Sequence, residues 1–176
     1  KDMAGNLEVD QIAGGANFGG SKARVHAGLA KAIKAAHTPI MTALKKAGIQ
    51  PNSPKSLVVT GHSLGGASAT LSAFGLHKKK LNIHCLYSHA GYMVGDAGFG
   101  DAYTKENIPY HRVINKDDLV PEFPQIAIEL AAAVFPLNGQ NPLLNKINKA
   151  IPHIPTNVKT AYCHVPGTLA CINHND

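Results

Sequence analysis

The sequence predicts an α/β protein: a mainly parallel sheet flanked by helices. Three observations predict it. Short apolar runs, Leu57-Val58-Val59 and Asn82 to Ser88, alternate with longer stretches of helical character, the pattern of strands buried in a parallel sheet. Ser56 to Leu76, SLVVTGHSLGGASATLSAFGL, reads as a strand, a sharp turn and a helix. Trp is absent, aromatic content is 6%, and Ala and Gly are plentiful, which favours helices packed closely on a sheet over an aromatic-rich β-sandwich. At 176 residues the chain is long enough for one domain with a core and too short for two ordinary ones, so residues 1–176 are read as a single domain.

Residues 1–21 read as loop, because Gly14-Gly15 and Gly19-Gly20 interrupt a weak alternation at Leu7, Val9 and Ile12 that supports one edge strand. A helix over about 27–47 follows, with Leu29, Ile33, Ile40, Ala43 and Leu44 near the helical period; Pro39 is expected to kink it and Gly48 to end it. Pro51 to Pro54 is a turn. After the strand at Leu57–Val59, Ala67–Leu76 is rich in Ala and Leu without Pro, which suits a helix. Asn82 to Ser88 is a second parallel strand, His89 to Asp96 a glycine-rich connection, Phe99 to Glu106 a short helix and Tyr110 to Asn115 a third strand. Ile126 to Val134 reads as a short apolar helix, and Asn138 to Pro155 as mostly loop with a helical turn or two around Leu143 to Ala150.

Gly61-His62-Ser63-Leu64-Gly65 fits G-x-S-x-G between a strand and a helix, the setting of a nucleophile elbow. A serine at so tight a turn is forced into strained backbone geometry, and glycines two residues to either side remove Cβ atoms that would crowd strand and helix. The turn sets Ser63 at the start of the helix, so the Leu64 N–H and the positive end of the helix dipole face an oxyanion formed there.

The formal charge is +6, from 17 basic and 11 acidic residues. The basic residues are scattered apart from Lys78-Lys79-Lys80, without aromatic interleaving or a nucleic-acid motif, so nucleic acid is excluded as a partner. The lysine run lies just past a helix end, where cations are favoured, and leaves room for mild attraction to anionic lipid interfaces. No apolar stretch approaches the length of a membrane span, and Lys1 opens no signal peptide and reads as the start of a processed chain. Of three cysteines, Cys163 and Cys171 lie eight residues apart and Cys85 sits in a strand-like run, which suits a buried free thiol.

Serine hydrolysis needs a base to take the serine proton and a carboxylate to orient that base. Asp118 follows the strand ending at Asn115, on the sheet edge where α/β sites are built, and His153, His164 and His174 come after it. Ser63, acid and histidine then stand in the chain order of an α/β-hydrolase. Asp117 would point to the other side and into solvent. His62 is read as a packing and hydrogen-bonding residue, as are His26, His89 and His111, although His89 follows a strand and is placed to line the site.

The elbow GHSLGG, the upstream VHAGL, and the downstream VGDAGFGDAY and YHRVINKDDLVPEFP together resemble the class 3, fungal-type lipase family, in order and spacing along most of the chain. The resemblance implies an α/β-hydrolase core and a secreted serine esterase or lipase acting on acylglycerols or related carboxylic esters without metal or cofactor. It assigns the acid to Asp118, before Leu119-Val120-Pro121, and the base to His164, in Tyr162-Cys163-His164. Two departures from the family stand out. The Arg-Gly-Thr/Ser motif that supplies the second oxyanion donor does not occur in this sequence, and Gly91-Tyr92-Met93 replaces a Pro-Arg pair, where a local structural change is expected. The first departure implies that residues 1–23 correspond to the family's lid and the loop after it, with strands contributed by a cleaved N-terminal segment or a second chain, a sheet edge left open and an unpaired cysteine, Cys171, available as a covalent link. It also supports an alternative reading, a lipase-like binding or storage module that has lost turnover.

Overall fold

The computed structural model describes residues 10–115, 117–125 and 162–172. The chain is mixed α/β. Its described elements run β1 (Gln11–Gly15), β2 (Gly20–His26), α1 (Ala27–Lys46), β3 (Ser56–His62), α2 (Leu64–Lys78), β4 (Asn82–His89), α3 (Ala97–Lys105), β5 (Tyr110–Asn115), a 3-10 turn at Val120–Glu122 and β6 (Thr168–Ile172).

The glycine-rich opening is not a lid-like loop in its described part. β1 and β2 pair antiparallel, Gln11 opposite His26 and Gly15 opposite Gly20, with an irregularity between Ala13 and Gly15. Phe18, Ala23 and Val25 from this hairpin are buried in the core, which anchors it. α1 runs unbroken through Pro39 and ends before Gly48. The expected helix within 126–134 and the helical turns within 143–150 lie outside the described residues.

Strands β3-β4-β5-β6 form a four-stranded parallel sheet in that order, with Ser56 opposite Asn82, Leu86 opposite Tyr110 and His111 opposite Thr168. β6 was not expected. β3 is an outer strand among the described residues, and its exposure alternates, with Val58 57% exposed, so it is not the fully buried strand that its apolar run suggested. α2 lies over β3 and β4 and buries Gly66, Ala67, Ala69, Thr70, Leu71, Ala73, Phe74 and Leu76. These residues are mostly small, which lets the helix approach the sheet closely. Phe74 packs edge-on against Phe99 of α3 at 5.3 Å and beside Tyr103 at 5.8 Å between ring centroids, fixing α3 over the same core. Burial pushes the hydroxyls of Tyr92 and Tyr103 well above the ordinary tyrosine range, so both are neutral rings of the core at any physiological pH.

Asp96 fixes where α3 begins. Its Oδ1 accepts from the Phe99 N–H at 2.9 Å, capping the helix, and from the Arg24 N–H at 3.0 Å, tying α3 to β2. Asp96→Ala leaves two amide hydrogens without their acceptor and is expected to lower stability by about 1–2 kcal/mol. A denaturant titration checks this against Asp96→Asn, which keeps an accepting oxygen and is expected to lose less.

Candidate active site

Ser63 follows the carboxyl end of β3 and precedes the first residue of α2, on the sheet edge where parallel α/β sheets place ligands. Its backbone has φ +53° and ψ −122°, a conformation that L side chains rarely adopt, at a cost of order 1–3 kcal/mol. Two backbone bonds hold it there. The Ser63 N–H donates to the His89 carbonyl at 2.9 Å, and the Ser63 carbonyl accepts from the Ala67 N–H at 3.1 Å. Ser63 occupies the N-cap position, yet its hydroxyl makes no capping bond to the helix. A serine in extended geometry there normally accepts from the first turn; the left-handed backbone turns this hydroxyl away from that duty.

Glycine is required beside the turn at one of the two positions the motif suggested. A Cβ at Gly61 would run into the Gly65 carbonyl and lie 2.8 Å from the Gly66 nitrogen. A Cβ at Gly65 meets nothing within 4 Å; the crowded glycine on the helix side is Gly66, where it would lie 2.7 Å from Ser88 Oγ and 3.0 Å from Gly91 Cα. Gly91 itself abuts Ser88 Oγ, so the segment that departs from the family pattern is the one that closes down on the start of α2.

The Leu64 N–H is among the amides at the head of α2 that no helix carbonyl takes up. No acidic residue occupies that first turn, so the positive end of the helix is left for an anion. A backbone N–H that no helix carbonyl claims thus lies directly after Ser63.

Asp118 follows β5 on the same edge of the sheet. It is half-buried while Asp117 is exposed, in line with the reading that Asp117 is solvated. The Asp118 N–H donates to the Asn115 carbonyl at 3.1 Å, and its Oδ1 accepts from the Val120 N–H at 2.9 Å, which orients the carboxylate within its own turn.

His164 stands elsewhere. It precedes β6, four residues before Thr168, which is opposite His111 near the start of β5, whereas Ser63 and Asp118 follow the ends of their strands. Its Nε2 lies 3.3 Å from Glu122 Oε1, not on Asp118. Burial first, then the Arg112 guanidinium, hold its pKa below the usual histidine value, with Glu122 opposing them. The lowered value favours the neutral ring, whose Nε2 faces the Glu122 carboxylate. Glu122 and Arg112 were missed, because nothing in VPEFP or YHRVIN marks a partner 42 or 52 residues away. His153 and His174 lie outside the described residues.

The depressed pKa of His164 has a sign. The unfolded chain binds a proton at this residue at a higher pH than the folded one does, so stability contributed by the neutral ring is present above about pH 6.5 and is lost as pH falls below it. His164→Gln is expected to flatten the stability loss as pH falls below about 6.5, read from denaturant midpoints at each pH.

His26, His111 and His62 stand apart from the nucleophile's chemistry. Buried His26 caps α1, its Nδ1 accepting from the Leu29 N–H at 3.3 Å. His111 stacks on Tyr87 with centroids 4.7 Å apart, and His62 is exposed. Cys85 is a buried free thiol, as expected; Cys163 and Cys171 are also free, and Cys171 is exposed. Among the described residues, no group of three or more His, Cys, Asp or Glu side chains is placed to hold a metal ion, and no helix is long and apolar enough to cross a membrane.

Residues 3–128 match the protein family described as Lipase (class 3). Phospholipase A1-Igamma2, chloroplastic, of Arabidopsis thaliana is 30% identical over 147 residues, which cover 78% of this chain and 25% of that protein. Secreted mono- and diacylglycerol lipase 1 of Fusarium solani is 36% identical over 102 residues, 58% of this chain and 30% of that protein. Among solved structures, the Rhizomucor miehei lipase propeptide complex is similar with a TM-score of 0.52 at 31% identity, over 61% of this chain and 35% of that one. The chain spans about a quarter to a third of the length of these proteins.

Proposed function

This chain belongs to the class 3 lipase family, and on that premise we propose that Ser63 is the nucleophile of a serine hydrolase that cleaves the carboxylic esters of glycerolipids. The observation that carries the reading is the geometry of Ser63: a strained φ of +53°, a hydroxyl free of capping, and the uncompensated positive end of α2 beside it. Ser63 Oγ attacks the ester carbonyl as a histidine takes its proton; the tetrahedral oxyanion accepts from the Leu64 N–H; the alcohol leaves with the proton; and water then releases the fatty acid. Asp118 orients the histidine.

For the base, position favours a residue other than His164. A base oriented by Asp118 belongs on the carboxyl edge of the sheet, and His164 comes before β6 with its Nε2 on Glu122. His174, which follows His164 in the sequence, is the alternative base. His164, the base that the resemblance implied, then serves to hold the turn at Glu122 against the segment leading into β6. His164→Gln should retain most of the reaction at Ser63. A loss as deep as that of Ser63→Ala would return the role to His164, with Glu122 as its carboxylate.

The exposed apolar side chains of Leu64, Leu119 and Val120, each within two residues of Ser63 or Asp118, suit an acyl substrate. The names of the Arabidopsis and Fusarium relatives share the ester of a glycerolipid and differ in head group, so the substrate class is set at that bond. An extracellular setting follows the Fusarium relative, and a propeptide-like N-terminal partner follows the Rhizomucor complex. That partner would bring the second oxyanion donor; one such donor is worth about 10²–10³ in rate.

A fluorophosphonate probe tests the reading, applied to the full-length protein with intact-mass analysis of every chain present. Stoichiometric labelling at Ser63 is expected. A folded sample that resists labelling would overturn the hydrolase reading and leave the lipase-like binding module.

A further inference from the structure

A cavity lies at the far end of α2 from Ser63. The hairpin tip, α1 and the last turns of α2 enclose a cavity of about 230 Å³. Phe18, Ile33, Ile40 and Leu76 supply its apolar walls, and Lys34, His37 and Lys79 also line it. Ser72 and Lys79 are the first and last α2-side residues to contribute. At 1.5 Å per residue, Ser72 is about 13 Å along the helix from the elbow, so the cavity is separate from the nucleophile.

Three features identify the chemistry that fits. The walls are predominantly apolar, which suits an alkyl chain. Two lysines and no carboxylate line the cavity, although the chain carries 11 Asp and Glu. His37 Nε2 is buried without a hydrogen-bond partner, a polar atom left where a ligand would be needed to satisfy it. The carbonyl end of α2, which opposes an anion with about half a charge, lies at Lys79, and two full lysine charges outweigh it.

We propose that this cavity binds a single-chain amphiphilic anion, a fatty-acid carboxylate, with its tail against Phe18, Ile33, Ile40 and Leu76 and its head group between Lys34, Lys79 and the His37 ring. The carboxylate takes charge-assisted hydrogen bonds from the lysines and a further one from His37 Nε2–H in its neutral tautomer. The site is independent of the reaction at Ser63, and its ligand is of the class which that reaction would release.

The test uses the full-length protein carrying Ser63→Ala, so that binding is read without turnover and its failure is distinct from failure of the hydrolase reading. Dodecanoate, dodecanol and dodecyl phosphate are titrated below their aggregation concentrations by calorimetry at fixed ionic strength. Lys34 and Lys79 are exposed, so Lys34→Glu/Lys79→Glu is expected to fold normally, which circular dichroism verifies. The expected result is saturable binding of one dodecanoate, at least tenfold weaker dodecanol, and at least tenfold loss of dodecanoate affinity in the charge-reversed variant. Equal binding of dodecanol, affinity unmoved by charge reversal, or no saturable binding would each overturn the site. Preference for dodecyl phosphate would overturn the carboxylate assignment in favour of a phosphate-headed lipid.

Discussion

Ser63→Ala is expected to lower ester hydrolysis by about 10⁴-fold or more while moving stability by less than about 0.5 kcal/mol. The two expectations have separate causes. The hydroxyl makes no capping bond, so its removal costs the fold nothing at the head of α2, and the backbone bonds to His89 and Ala67 are untouched. Chemistry loses its nucleophile outright, and the remaining acid and base have nothing to act on. Hydrolysis of a short-chain nitrophenyl ester, followed beside a denaturant titration of the same sample, reads both. Activity surviving within tenfold would place the nucleophile elsewhere.

Gly61→Ala is expected to cost about 3 kcal/mol and to slow probe labelling of Ser63 by about 10²-fold. The added methyl would meet the backbone of Gly65 and Gly66, and backbone at a helix start has no rotamer by which to step aside. Either β3 or the first turn of α2 must move, and Ser63 lies between them. Gly65→Ala is the control, because a Cβ there meets nothing within 4 Å; it is expected to be neutral or slightly stabilising. Indistinguishable denaturation midpoints for the two variants would disprove the steric account.

The contrast between these two glycines marks how far the sequence could be read. G-x-S-x-G, flanked by Leu57-Val58-Val59 and an Ala-rich run, identifies the elbow because strand, turn and helix are local in the chain. Which glycine is crowded depends on Ser88 and Gly91, which arrive from another strand, and no local pattern announces them. The same division holds elsewhere. β4 and β5 were legible as short strand-like segments bounded by turn signals, whereas the hairpin was obscured because its four glycines masked the inward set Phe18, Ala23 and Val25. β6 was missed because Thr168-Leu169-Ala170-Cys171-Ile172 is a short run that follows a Pro- and Asn-rich stretch. Asp118 was legible from its place after a strand. The setting of His164 was not, since Glu122 and Arg112 reach it through the tertiary fold.

The four smallest residues on the buried face of α2 are tolerant in one direction only. Gly66, Ala67, Ala69 and Ala73 have almost no side-chain volume to lose, so the cavity-forming changes that commonly injure a core do not arise there. Injury comes instead from growth, because any added carbon must push the helix off β3 and β4. Divergence along this helix is therefore limited by volume before polarity, and the rod that carries Ser63 keeps its distance from the sheet while the exposed residues around it change.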